Sequence, residues 1–353
     1  MNDKTGSDKF DHLHLQRLLK RGLTFIPPVN IIRETGKEHT GKNIFEFTLA
    51  EPYSTISRYF LEMKYEEIIP VDSESGLFLP RIPVSPRTGS DELIKIVDKA
   101  GAVIPSDGHI ITGSSEGPES LFTLFSIACF SLFVKFFHTI LRRKSAGDIT
   151  VRDYDYLDLV RTYEHKYTPA PGETLIINKK NIPLMIMSAG RSMVSRKLVD
   201  SIFGNISRRE GNYVYISESG SFLDDLNDRI VKLPLIGSVK STLQPSSELE
   251  VHRNIYKATE DKTVIHGHPL FTVILSLDSQ TIDSPVIGEI PVVSAESGSG
   301  LEYLVPEMIR RNGNVVAKGH GIFCSGNDDF DQSLNRMAEI ENCCREEYFK
   351  RLL

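Results

Sequence analysis

The sequence lacks paired cysteines and any long basic segment. Its four cysteines are Cys129, Cys324, Cys343 and Cys344, and none of them belongs to a CxxC motif. Neither a disulfide framework nor a thiolate zinc site is indicated, so a reducing, cytoplasmic location is expected. The net charge of −6 is spread over both halves. Nucleic acid and anionic membrane surfaces are therefore not expected as partners.

The first residues, MNDKTGSDKFDHLHLQ, also lack the apolar stretch and the cleavage site of a secretory signal. Residues 121–134, LFTLFSIACFSLFV, are strongly apolar but number only 14 before Lys135. A membrane span needs roughly 20 apolar residues. We therefore expect a helix buried in a large core or a subunit interface, with a membrane span as the alternative.

The length of 353 residues and the hydrophobic content of 40% indicate an ordinary folded protein with two domains. Residues 163–175, YEHKYTPAPGETL, have the proline and glycine content of a linker. On this basis we expect one domain at residues 1–150 and a second at residues 175–353.

The two halves also resemble each other. Residues 82–128 start with IPVSPRTGS and residues 290–341 start with IPVVSAESGSG, and in both a helix, a strand, a glycine turn and a closing helix are predicted to follow. This shared order indicates an ancient duplication. Helices and strands alternate through the second half, which favours a layered α/β domain. Its predicted elements are a helix at Ile182–Val199, a hairpin that contains Tyr213–Ser217, a helix at Ser246–Thr259 and a strand at Thr263–His268.

A histidine pair lies at the end of that strand. His266 and His268 are separated by one glycine, so both imidazoles point to the same face and can bind one metal ion. His320, between two glycines, offers a third imidazole. Three histidines with one open position form a catalytic zinc arrangement, in which the metal polarises a substrate oxygen or activates water. Taken one by one, they would be two polar strand-end residues and a turn residue.

The motifs around the histidines resemble the class II aldolase/adducin family. They are GNIS at 204–207, SESG at 217–220, PSSE at 245–248, HGHP at 266–269 and GHG at 319–321. The resemblance covers residues 180–353 and implies a three-layer α/β/α fold. It makes His266, His268 and His320 ligands of a divalent metal, with zinc expected. It also makes Glu248 the catalytic residue that moves a proton beside the chelated carbonyl, because a carboxylate next to a cation stays ionised.

Phosphate binding is implied by the same resemblance. It is assigned to Asn205, Ser219, Gly220, Ser246 and Ser247. Hydroxyls and free backbone N–H groups at a helix start bind an anion without a lysine. The alternative is that Ser246 or Ser247 only caps the helix, with Glu248 as a first-turn acid that interacts with the helix dipole.

The function implied by the resemblance is that of a metal-dependent, aldolase-type lyase. It would act on a small phosphorylated sugar, such as a ketose phosphate, through a metal-chelated enediolate. A sugar-phosphate epimerase or dehydratase of the same fold is one alternative, and a non-catalytic adducin-like interaction module is another. Residues 278–289, DSQTIDSPVIGE, lack the tyrosine that protonates the leaving group in the family's aldolases. Tyr348 is the candidate substitute, and the alternative is that this helical aromatic residue only packs.

The first half is expected to be an incomplete, degenerate copy of the domain. In TLAEPY, residues 48–53, Thr48 and Ala50 stand where histidines would be, and Asp107 falls on the position of His320. No metal site is therefore expected in residues 1–150. Because related enzymes are fourfold rings, we expect a homo-oligomer, either a dimer that forms a pseudo-tetramer or a tetramer.

Overall fold

The computed structural model describes the chain in eleven stretches. They are residues 11–20, 30–36, 41–85, 89–106, 108–164, 181–200, 202–237, 240–278, 286–287, 289–294 and 300–353. The chain divides into two compact units, of which unit 1 comprises Met1–Pro70 and Ser75–Leu132, and unit 2 comprises Val71–Glu74 and Phe133–Leu353. Residues 165–175 of the predicted linker lie outside the described stretches.

The N-terminal half contains a small sheet of four strands in the order β1-β2-β6-β5, and β3 and β4 form a separate pair. Ile44, Val97, Val103 and Ile111 form a buried apolar cluster between this sheet and α4. The elements are α1 (His12–Lys20), β1 (Asn30–Gly36), β2 (Asn43–Thr48), α2 (Tyr53–Glu62), β3 (Glu67–Ile68), α3 (Ser75–Phe78), β4 (Ile82–Pro83), α4 (Ser90–Ala100), β5 (Ala102–Val103), β6 (His109–Ser114) and α5 (Pro118–Ala146).

The apolar run of the sequence forms part of α5, a helix of 29 residues. By length and composition this helix would suffice to cross a membrane, but 83% of its most apolar window is buried inside the structure. Phe125 stacks on Phe47 at 4.4 Å between ring centroids, and Phe133 and Phe137 are fully buried. The burial that was expected for this segment is therefore present.

The C-terminal half is built on an eight-stranded sheet in the order β11-β12-β13-β14-β10-β7-β8-β9. Every pairing in it is antiparallel except that of β12 with β13. The elements are α6 (Val151–Glu164), α7 (Ile182–Ser195), β7 (Asn205–Glu210), β8 (Tyr213–Ser217), β9 (Ile230–Pro234), α8 (Leu249–Ala258), β10 (Thr263–Gly267), α9 (Leu270–Ser276), β11 (Val286–Ile287), β12 (Ile290–Val293), α10 (Leu301–Asn312), β13 (Asn314–Ala317), β14 (Gly321–Gly326) and α11 (Asp331–Leu352).

Helices α8 and α10 pack on one face of this sheet. Their apolar residues, among them Ile255 and Val305, share a buried cluster with Val264 of β10 and Phe323 of β14. Helix α11 contacts β10 and β14, and α7 contacts β7. Gly267, whose side-chain position faces away from that of His266, lies against Met337 of α11. The predicted α/β domain is thus present, with helices on both faces of the sheet.

Two predicted boundaries differ from the structure by three residues or more. Helix α8 begins at Leu249 and not at Ser246, because Ser246 donates its backbone N–H to Ser217 O (3.1 Å) and Pro245 forms a bridge with Glu218. The PSSE motif therefore belongs to a loop that precedes the helix. Helix α7 ends at Ser195, four residues before the predicted end.

Candidate active site

His266 and His268 lie at the end of a central, fully paired strand. Strand β10 is bonded to β14 on one side and to β7 on the other. Both imidazoles are buried, with 1% and 3% of their surface exposed, and their Nε2 atoms are 2.8 Å apart. The period of two along the strand therefore brings the two rings to one point, as predicted.

His320 reaches the same point from the turn between β13 and β14. Gly321 is required there, because a Cβ on this residue would lie 2.3 Å from the carbonyl oxygen of Gly267. This close approach carries His320 over the end of β10. Within the described part of the chain, His266, His268 and His320 are the one group of three residues suited to hold a metal, with ligand atoms within 4.8 Å of one another.

Packing and hydrogen bonds orient the histidine rings. The Nδ1 atom of His266 is 3.1 Å from the carbonyl oxygen of Ile322, and its ring stacks on Phe323 at 4.0 Å. The ring of His268 stacks on Phe203 at 5.2 Å. An Nδ1–H bonded to a backbone carbonyl leaves the Nε2 lone pair of His266 free for a metal. Burial lowers the pKa of His266 to about 4 and that of His268 well below its usual value.

The side chain of Glu248 lies beside the histidines and contacts two of them. Its Oε1 accepts a hydrogen bond from Nε2 of His320 (2.8 Å), and its Oε2 lies 3.6 Å from Nε2 of His266. The side-chain amide of Asn205 donates to Oε2 at 2.6 Å. Burial opposes ionisation of this carboxyl, but the two imidazoles and the amide outweigh burial and hold its pKa well below the usual range. The carboxylate form is therefore favoured.

The helix-dipole role considered for Glu248 is not the one observed. Glu248 is the N-cap residue of α8, and its side chain makes no cap hydrogen bond. It points instead to His320 and Asn205. The Ser246 hydroxyl accepts the backbone N–H of Glu248 at 3.3 Å, so part of the capping alternative is present.

The residues predicted to bind phosphate lie in two adjacent loops and on β7. The backbone N–H of Ser219 donates to Gln244 O at 2.9 Å, which places the SESG loop beside PSSE. Gly220 has a left-handed φ of 71°. Asn205 is the first residue of β7, and its amide is engaged by Glu248. The loops that carry Ser219, Gly220, Ser246 and Ser247 thus lie side by side, and Asn205 lies next to the carboxylate.

Tyr348 has a structural role. Its hydroxyl donates to the backbone carbonyl of Phe137 at 2.8 Å, and its ring is fully buried against Phe137 and Phe271. The candidate acid of the sequence analysis is thus a packing residue in this fold. Residues 279–285 and 288 of the connection that lacks a tyrosine lie outside the described stretches.

In the first half, Thr48 ends β2 opposite His109 of β6. The imidazole Nδ1 of His109 is 3.1 Å from Oε1 of Glu46. Asp107, which was aligned with His320, lies outside the described residues.

Comparison with known proteins identifies the family. The model of the class II aldolase and adducin N-terminal domain matches residues 185–348. An L-fuculose phosphate aldolase of Methanocaldococcus jannaschii is 32% identical over 150 residues, which are 40% of this chain and 82% of that protein. The chain belongs to the class II aldolase/adducin family. An L-fuculose phosphate aldolase of Methanococcus maripaludis is 29% identical over 143 residues, or 38% of this chain and 79% of that protein.

Among solved structures, the class II aldolase domain is similar to L-fuculose-1-phosphate aldolase from Thermus thermophilus. The sequence identity is 24%, the match covers 48% of this chain and 93% of that one, and the TM-score is 0.42. The family prediction is confirmed, and so is the prediction of a class II aldolase-like lyase. Enzymes of this class depend on a divalent metal, which agrees with the donor set of the three histidines.

Two contacts of the class II aldolase site were not predicted. One is the hydrogen bond from Asn205 to Glu248, since the GNIS motif pointed to phosphate. The other is the contact of Glu74 with His320, at 2.9 Å between Oε1 and Nδ1. Glu74 lies far outside the family match, and no motif marks it. Only the folded chain brings it to the site.

Proposed function

We propose that this chain is a metal-dependent aldolase that acts on a small phosphorylated sugar. The observation that carries the proposal is the meeting of three imidazoles, with ligand atoms within 4.8 Å, beside the side chain of Glu248, which lies 2.8 Å from Nε2 of His320. Three nitrogen donors with one position left open suit Zn²⁺ in a catalytic site. The relatives named L-fuculose phosphate aldolase support a sugar phosphate as the substrate class.

The proposed roles follow from the contacts. His266, His268 and His320 would hold a divalent cation, which supplies Lewis acidity at a substrate carbonyl. Glu248 is the base that takes the proton next to that carbonyl or returns it, because its carboxylate is ionised and lies within 4 Å of two of the imidazoles. Asn205 holds this carboxylate in place through one oxygen.

The phosphate would bind between the SESG and PSSE loops. The backbone hydrogen bonds between the loops fix their spacing, and Ser219, Ser246 and Ser247 offer three hydroxyls. Gly220 in its left-handed conformation lets the backbone turn at the end of the first loop. Hydroxyls and backbone N–H groups together can bind an anion without a lysine.

An epimerase or dehydratase that acts on sugar phosphates is the second candidate. The observation that favours it is the burial of Tyr348, which removes the substitute acid for aldol cleavage. An adducin-like interaction module is disfavoured, because the histidines and the carboxylate are retained and meet in space.

The experiment that tests the proposal is a screen of ketose 1-phosphates and pentulose phosphates. The protein is assayed as purified, after chelation and after metal is restored. We expect aldehyde release from a ketose 1-phosphate that stops on chelation and returns with metal. Isomerisation without cleavage would support the epimerase. Absence of turnover by metal-loaded protein with every sugar phosphate would support the interaction module.

We also propose that the first half is a degenerate copy of the domain. In the first half, Val84 pairs in parallel with Ile104. Helix α4 lies between these two residues in the chain. In the second half, Val293 pairs in parallel with Ala317, and α10 lies between them. The strand that follows is antiparallel to its partner in both halves: β6 pairs with β2 in the first half, and β14 pairs with β10 in the second. The shared order supports duplication.

A further inference from the structure

A short segment from the N-terminal half of the sequence binds the GHG turn. Residues Val71–Glu74 belong to unit 2, although they lie far upstream of the rest of that unit. The backbone N–H of Ser73 donates to Gly319 O at 2.8 Å, and the Ser73 hydroxyl donates to the same oxygen at 3.1 Å. The turn that carries His320 is thus fixed to this segment by hydrogen bonds.

The same segment reaches the His320 imidazole. Oε1 of Glu74 is 2.9 Å from Nδ1 of His320, and the Ser73 hydroxyl is 3.1 Å from the same nitrogen. The side chains of His320 and Glu74 are 13% and 25% exposed, so water competes little for this contact. Asp72 accepts the backbone N–H of Glu74 at 3.2 Å, which shapes the turn.

The nitrogen of the His320 ring that Glu74 contacts indicates the role of the Glu74 carboxylate. Nδ1 of His320 faces Glu74, and Nε2 faces Glu248 at 2.8 Å. Glu74 therefore lies on the opposite side of the ring from Glu248 and does not join the ligands. A carboxylate that accepts the Nδ1–H of a histidine fixes its tautomer and ring orientation, and makes Nε2 a better ligand. His266 obtains the same support from the carbonyl of Ile322.

We propose that Glu74 is a positioning residue for His320 as a metal ligand, and that Ser73 holds the turn in place for it. The inference rests on the proposed metal site. Both residues lie outside residues 185–348, which match the family model. The sequence upstream of the aldolase domain thus contributes to the metal centre, which the family motifs alone do not reveal.

The test is Co²⁺ affinity, measured on the full chain by competition with a chromophoric chelator. Loss of a hydrogen-bond partner behind a metal ligand weakens metal binding about 10- to 100-fold, so Glu74→Ala should raise the Kd for Co²⁺ by that factor. Glu74→Gln keeps an oxygen acceptor and should lose less. The matched control is Glu67→Ala, which removes an exposed carboxylate that pairs with Arg81 at 3.5 Å. Its affinity should equal that of the wild type.

Two further readouts separate positioning from a merely structural role. The Tm of metal-free Glu74→Ala should stay close to that of the wild type while its affinity falls. In zinc-loaded wild type with ¹⁵N-labelled histidine, NMR should show the proton of His320 on Nδ1 and the metal on Nε2. This measurement needs no variant, so metal bound through Nδ1 would overturn the role of Glu74 even where Glu74→Ala does not fold.

The outcomes are distinct. An unchanged Kd in folded Glu74→Ala, or metal bound through Nδ1 of His320, overturns the role of Glu74 and leaves the metal site standing. Wild type that binds no Co²⁺ overturns the proposed metal site and this inference with it.

Discussion

The side chains at the site differ in their favoured charge state. Burial favours neutral imidazoles at His266, where it lowers the pKa to about 4, and at His268. Glu248 is also buried, but the nearby His266 and the hydrogen bonds from His320 and Asn205 hold its pKa well below the usual range. The site thus combines neutral imidazoles at His266 and His268 with the anionic carboxylate of Glu248, as a metal-assisted proton transfer requires.

The role of Glu248 leads to the first prediction. Glu248→Gln should lower kcat by about 10²- to 10⁴-fold, the usual contribution of a general base, while the metal content stays that of the wild type. Steady-state kinetics together with metal analysis checks this. Glu250→Gln is the control, because Glu250 lies on the same helix with a largely exposed side chain that pairs with Arg253. Activity of Glu248→Gln within a factor of two of the wild type would contradict the assignment.

At this scale the sequence predicts which side chains meet at the site better than it predicts their hydrogen-bond partners. The HxH spacing and the family motifs mark His266, His268, His320 and Glu248, since each lies in a short local pattern. Ser73 is 247 positions away from His320, and its hydroxyl meets the ring only after folding. Asn205 was recognised by its motif, but its contact with Glu248 depends on how β7 and the PSSE loop pack.

At the scale of elements, strand β10 and its neighbours position the histidines. Gly267 allows helix α11 and the segment that follows α7 to approach the strand, because a Cβ there would lie 2.6 Å from the Leu198 carbonyl oxygen and 2.9 Å from Met337 Sδ. Helix α9 follows directly, and its first N–H groups are capped by Glu341 of α11. This carboxylate accepts Phe271 N and Thr272 N, each at 2.8 Å.

Gly267→Ala should therefore destabilise the fold. A methyl group has no room between Leu198 O and Met337, and such overpacking costs about 1–3 kcal/mol of the free energy of unfolding. Chemical denaturation of both proteins measures the difference. Gly76→Ala is the control, since a Cβ at Gly76 would meet nothing within 4 Å. Equal stability of Gly267→Ala and the wild type would show that the backbone around the strand can move to make room for a methyl group.

Helix α5 contains a histidine that gives a pH-dependent prediction. Burial, with Lys135 and Arg142 nearby, lowers the pKa of His138 to about 4, against the opposing effect of Asp278. In the unfolded chain the pKa of the His138 imidazole is near 6.5. Between pH 4 and pH 6.5 the unfolded chain therefore binds more protons than the folded chain. The contribution of His138 to stability is therefore full above pH 6.5 and is lost as the pH falls towards 4.

The measurement is the free energy of unfolding at several pH values for the wild type and His138→Gln. The variant should show a smaller loss between pH 6.5 and 4, by up to about 3 kcal/mol from the linkage of pKa and stability. All other titrating groups are shared, so the difference in slope reports His138. Parallel pH profiles would rule out its depressed pKa.

The sequence predicted the type of the helices and strands better than their first and last residues. Alternation located α7, α8 and β10, because their apolar periods are local. The start of α8 was placed three residues early, since Ser246 and Ser247 look like caps and the bonds of Ser246 to Ser217 are not visible in the sequence. Strand β9, which pairs with the second strand of the hairpin formed by β7 and β8, was not predicted.

At the scale of the whole molecule, the family match covers residues 185–348 and leaves the first half outside it. The family resemblance of the sequence implies a homo-oligomer, and we predict either a dimer that forms a pseudo-tetramer or a tetramer. Apolar side chains such as Leu77 (75% exposed) and Tyr303 (74% exposed) are available to an interface. Light scattering at micromolar concentration checks this, and a stable monomer would contradict it.

The central claim, a metal held by the three histidines, is tested most directly by elemental analysis. Protein purified without chelator should carry close to one divalent ion per chain, since sites of this type bind tightly. His268→Ala should keep the fold, judged by circular dichroism, and lose the ion. His109→Ala, which removes a histidine bonded to Glu46 in the first half, should retain it. Less than about a tenth of an ion per wild-type chain, or unchanged metal in His268→Ala, would contradict the account.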